Sequence, residues 1–71
     1  MENILKKLRT ERNLKQSEVA EKIGMSKRQY IKYENNQIKP NYKIITKLAK
    51  LYNIDTKELY IMLLNSPIFR F

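Results

Sequence analysis

Apolar residues recur along this chain at helical spacing, in short stretches separated by polar residues and turn formers. Ile4, Leu5 and Leu8 mark a first stripe, on a helix from about Glu2 to Arg12. Val19, Ala20 and Ile23 mark a second helix, over roughly 16–23, and a third follows over 26–35. Asn41 is placed to cap a fourth, whose apolar face is Ile44, Ile45, Leu48, Ala49, Leu51 and Tyr52. Asp55 and Glu58, in D-x-x-E spacing, open a fifth that carries Leu59, Tyr60, Met62 and Leu63. Strand alternation is nearly absent. The pattern predicts an all-α bundle of five short helices.

The breaks between stripes carry their own information. Asn13 follows the first helix and tolerates the left-handed backbone that ends one. Gly24 is the only glycine in the chain and stands between the second and third helices. It adopts left-handed geometry without a Cβ clash, so the chain reverses tightly there. Ser26 and Gln29 form an S-x-x-Q capping box that restarts helix within two residues. So short a turn forces the two helices to cross steeply, a helix-turn-helix arrangement. Asn65-Ser66-Pro67 ends the fifth helix, which divides a domain over 1–64 from an apolar tail over 65–71. Ile68, Phe69 and Phe71 on that tail either fold back or meet a partner chain.

Composition narrows the chemistry. The chain has 71 residues with no cysteine, histidine or tryptophan. It therefore lacks a disulfide framework and the usual zinc ligands, and no histidine can act as base for a serine or tyrosine nucleophile. No catalytic residue, metal site, cofactor or small-molecule ligand is expected. The apolar runs are too short to span a membrane, and the N-terminus MENILKKLRT has no signal-peptide pattern. A cytoplasmic, nucleoid-associated location is the expectation. Lys and Arg number 15 against 7 Asp and Glu, a formal charge of +8. A polyanion is the simplest partner for such a surface.

Charge position says more than charge total. At 100° per residue, Lys27, Arg28, Ile31, Lys32 and Asn35 share one side of the third helix, and Tyr30, Tyr33 and Glu34 lie toward the other. In a DNA major groove, Arg28 would fork onto guanine O6 and N7, while Lys27 and Lys32 take guanine acceptors or a phosphate. Ile31 either touches a thymine methyl or belongs to the core. Lys6, Lys7, Lys47, Lys50 and Lys57 read as solvated faces.

Over residues 3 to 64 the sequence resembles the Cro/CI-like, or XRE, helix-turn-helix family of bacterial and phage repressors. The matching elements are Leu8-Arg9, Arg12, Leu14, Gln16, Ala20, Gly24, Ser26, Tyr33-Glu34-Asn35, Pro40, Leu48-Ala49, Leu51 to Ile54 and Leu59. The resemblance implies a lambda-repressor-like fold and a sequence-specific, double-stranded DNA-binding regulator that represses as a homodimer. It implies a phosphate contact for Gln16 at the start of the second helix. Its docking mode also places Ser26, Asn35, Asn36, Lys39, Tyr42 and Lys43 along the DNA backbone. It implies a structural ion pair between Arg9 and Glu34, which would withdraw Arg9 from DNA. The chain departs from the family at Lys15, where Ser or Thr usually caps the second helix. It departs again at Tyr30 and Tyr33, where aliphatics are commoner, and at Asn36, which replaces a glycine. The alternative is a protein-interaction module, such as an antitoxin or accessory factor, on the same fold.

Overall fold

In the computed structural model, which describes residues 3–35 and 37–65, five α-helices follow one another. They are α1 (Ile4–Glu11), α2 (Gln16–Lys22), α3 (Lys27–Glu34), α4 (Tyr42–Tyr52) and α5 (Thr56–Asn65), and the described residues contain no strand. The expectations for Asn36 and for the Ile68–Phe71 tail lie outside the described residues.

Each helix starts where a polar side chain takes up free N–H groups. Asn3 accepts from the N–H groups of Leu5 and Lys6, Ser26 from Gln29, Asn41 from Ile44 and Asp55 from Lys57. The start at Lys15 lacks a side-chain cap, as its departure from the family implies, and the start at Ser26 differs from the sequence reading. Lys15 caps α2 with no side chain of its own, and Glu18 instead accepts the Lys15 N–H at 2.9 Å. The Ser26 box is one-sided, because the Gln29 amide turns along α3 and donates to the Tyr33 hydroxyl at 3.5 Å.

Three helices stop in the same way. After α1, Asn13 takes φ 56°; its N–H bonds to Thr10 O and the next N–H, of Leu14, reaches back to Arg9 O. Gly24 at φ 75° repeats this pair of bonds after α2, with Met25 reaching Ala20 O. Asn53 at φ 57° repeats it after α4, with Ile54 reaching Ala49 O. This is the Schellman arrangement, in which the residue after the left-handed one also packs inward. Leu14, Met25 and Ile54 all do so, half-buried against the core. A left-handed backbone costs most L-residues roughly 1–2 kcal/mol, and asparagine is one of the few that visit it routinely. Asn53→Ala is therefore expected to destabilise the fold by about 1 kcal/mol in urea unfolding, and Asn53→Gly not to.

The core draws on every helix: Leu5 and Leu8, Val19 and Ala20, Tyr30 and Tyr33, Ile45, Leu48, Ala49 and Tyr52, and Leu59 and Leu63, with Ile23 from the turn. Ala20 is 1% exposed, small at the point where α2 meets α3. Tyr60, grouped with the apolar side of α5 in the sequence, faces outward instead. Its ring meets that of the exposed Tyr42 edge-on, with centroids 6.1 Å apart. Ile61 and Leu64 are also exposed, so α5 shows an apolar strip to solvent. Among the described residues, no helix is long and apolar enough to cross a membrane.

Candidate nucleic-acid interface

The inner side of α3 is pinned by an ionic cluster. Glu34 is 4% exposed and receives two parallel bonds from Arg9, Nε to Oε2 at 2.9 Å and Nη2 to Oε1 at 2.8 Å. The remaining arm of Arg9 donates to Leu14 O at 2.9 Å. Gln16, at the first position of α2, donates its amide to Glu34 Oε1 at 3.2 Å. Asn3 closes the set by donating to the Glu34 carbonyl. The Glu34 carboxylate thus ties the last turn of α1 and the start of α2 to the end of α3, and its main-chain carbonyl holds the residue that opens α1. Forked arginine–carboxylate bonds fix orientation as well as distance.

The electrostatics follow from these contacts. Burial drives the Glu34 carboxyl upward, but the bonds from Arg9 and Gln16 and the nearby Tyr30 hydroxyl outweigh it and hold it below the usual carboxylate range. Arg9 is raised in turn, first by its bond to Glu34. The phenols of Tyr30 and Tyr52 are buried beside this cluster, and neither makes a hydrogen bond of ordinary geometry. Burial pushes both above the ordinary tyrosine value, so both stay neutral. Arg12 supports the same region from outside. Its guanidinium lies 4.9 Å from the Tyr52 ring centre and donates to Leu8 O and Tyr52 O.

With Tyr30, Tyr33 and Glu34 buried, the first turn of α3 points the other way. Ser26, Lys27 and Arg28 are all exposed there. Ile31 and Lys32 are half-buried, so Ile31 does not stand fully in solvent and the cationic face is strongest at the N-terminal end. Asn35 is exposed at the other end of α3, and its N–H bonds to Ile31 O. Beyond α3 the chain passes the exposed Lys39 and a buried Pro40 into α4, whose first residues Tyr42 and Lys43 are exposed. Gln16 is half-buried because the Glu34 cluster holds its amide. Asn3 and Arg12 were not singled out as site-supporting residues in the sequence reading. An asparagine directly ahead of the first apolar stripe was the available signal for Asn3. Among the described residues no cluster of acidic, histidine or cysteine side chains is arranged to hold a metal.

A helix pair joined by a tight turn at Gly24, the second helix buried on one side and cationic on the other, defines a helix-turn-helix domain. A helix-turn-helix family model matches residues 5–59 of the chain. The chain belongs to this family, the Cro/CI-like or XRE group of DNA-binding domains. It is 42% identical over 55 residues to the cryptic phage CTXphi transcriptional repressor RstR of Vibrio cholerae, which covers 78% of this chain and 50% of that protein. It is 33% identical over 61 residues to the HTH-type transcriptional regulator MJ0272 of Methanocaldococcus jannaschii, covering 86% and 92%. It is 36% identical over 56 residues to the ImmF control region 10 kDa protein of Bacillus phage phi105, covering 79% and 62%. The chain thus spans only about half the length of the Vibrio repressor. No solved structure matches it significantly.

Proposed function

We propose that this chain is a sequence-specific double-stranded DNA-binding transcriptional repressor acting as a homodimer, with α3 in the major groove. The observation that carries this reading is the division of α3 itself. Its inner side is locked by Tyr30, Tyr33 and Glu34, and its outer first turn offers Lys27 and Arg28 to solvent. In helix-turn-helix docking, the N-terminal residues of the recognition helix meet base edges. Arg28 forks onto a guanine, and Lys27 takes a neighbouring acceptor. Ile31 and Lys32, half-buried and further along, complete the base-contacting set, Ile31 against a thymine methyl and Lys32 at a guanine acceptor or a phosphate. Ser26, Asn35, Asn36, Lys39, Tyr42 and Lys43 serve as backbone contacts, which set affinity and register rather than sequence. Gln16 gives one amide N–H to Glu34, and a carboxamide has a second to offer a phosphate.

One module of this size reads few base pairs, so two copies placing α3 in successive major grooves, about 34 Å apart, supply the rest. The exposed Tyr60, Ile61 and Leu64 of α5 support a dimer contact on that helix. Ile61→Asp is expected to shift the equilibrium toward monomer in analytical ultracentrifugation. An unchanged sedimentation profile would place the contact elsewhere. Hydroxyl-radical footprinting of a bound duplex tests the docking mode. Two protected patches on one face of the duplex, about one helical turn apart, are expected. Even, unphased protection would count against it.

A further inference from the structure

A second surface stands out beside α3. The last turn of α2, the Gly24 turn and the outer side of α4 enclose a shallow groove of about 530 Å³. It is open to solvent along most of its face, a surface suited to an extended segment and not an enclosed small-molecule cleft. Its floor is formed by the largely buried Ile23, half-buried Leu51 and the bare backbone of Gly24. No atom lies within 4 Å of where a Gly24 Cβ would stand, so the turn leaves open space there. The rim holds Lys22, Lys47 and Lys50 against one carboxylate, Glu21. Lys47 leans over the floor, its ammonium 3.4 Å from Ile23 O, and so is not the freely solvated lysine that the sequence suggested.

These features favour one kind of occupant. Lys43, Lys47 and Lys50 fall at i, i+4 and i+7 and form one exposed stripe along α4. A DNA backbone would answer the lysines, but it offers only its small deoxyribose faces to Ile23 and Leu51 and no side chain to rest on them. A peptide answers both parts. We propose that this groove docks an acidic segment of a partner protein. An apolar side chain of that segment rests on Ile23 and Leu51, and flanking carboxylates pair with Lys22, Lys47 and Lys50. Glu21 then accepts a backbone N–H of the same segment. The site does not depend on the DNA-binding reading.

The test is fluorescence anisotropy at about 150 mM salt with a labelled decapeptide, one central leucine among aspartates and glutamates. Saturable binding is expected. Lys47→Glu/Lys50→Glu is expected to weaken it about tenfold, since each exposed pair contributes modestly and both are reversed. Replacing the leucine by serine is expected to weaken it by a similar factor, and the charge-matched control Lys6→Glu/Lys57→Glu by less than about twofold. Lys22→Gln/Lys50→Gln carries the same comparison if melting curves show the first variant unfolded. Equal loss in groove and control variants, indifference to the leucine, or no saturation would overturn the proposal. So would an equal loss of binding to random duplex DNA in the groove variant, which would make the stripe a nucleic-acid contact.

Discussion

Arg9→Ala is expected to remove most of the stability of the fold. The substitution leaves the Glu34 carboxylate 4% exposed without its forked partner, and strips the Leu14 carbonyl of its donor. Breaking a buried pair from one side typically costs about 3–5 kcal/mol, because the abandoned charge stays desolvated. A domain of this length has roughly 4–11 kcal/mol in total, so the variant is expected to melt far earlier or not to fold. Arg9→Met with Glu34→Leu removes both charges and is expected to recover much of the loss, as apolar replacements of buried pairs do. If Arg9→Ala alone left the urea midpoint unchanged, the cluster would not be holding the helices together.

The same pair sets an acid response. Glu34 titrates below its unfolded value of about 4.3, so its contribution is complete above that pH and is lost as pH falls through the lower folded value. Wild-type stability is therefore expected to fall with acidification in that window. The Arg9→Met/Glu34→Leu variant is expected to lose less over the same range.

Arg28→Ala carries the second large effect, on recognition instead of folding. Arg28 is exposed in the first turn of α3, so its truncation leaves the core untouched. A forked arginine–guanine contact discriminates by about 1–3 kcal/mol, roughly 5- to 150-fold in affinity. The loss is expected against the specific site and to relax preference at one base position. Lys43→Ala offers the contrast, weakening all sequences alike and lowering the salt slope by about 1. Equal loss on specific and random duplexes in both variants would mean that the division between base and backbone contacts is wrong.

Which parts of this molecule were legible in its sequence follows from what each part depends on. The helix count, the turn at Gly24 and the stop at Asn13 depend on local rules of spacing and backbone freedom, and were readable. Asn53, a stop of the same kind, lies between the stripe that ends at Tyr52 and the cap at Asp55, where apolar spacing alone does not mark its left-handed turn. The fifth helix is apolar on nearly every side from Leu59 to Leu64, and periodicity cannot say which residues face out. Only packing against α4 sends Tyr60 toward Tyr42. Helical spacing likewise ranks the residues of α3 around its axis without setting the rotation, which is why the sequence leaves Ile31 open between groove and core, and the fold half-buries it. The hold of Glu34 on Gln16 joins residues 18 apart in the chain. It exists only because α2 and α3 cross where they do, and no local pattern announces it. The groove beside Gly24 is of the same kind, since its lysines come from two helices.

Selection from a random duplex library at about 150 mM salt, where non-specific binding is only about 10⁻⁴–10⁻⁶ M, addresses recognition by the α3 face most directly. A two-fold symmetric site is expected to enrich, its half-sites about one helical turn apart, with Arg28→Ala erasing preference at one position of each. A library that emerges unenriched would contradict sequence-specific recognition by this chain.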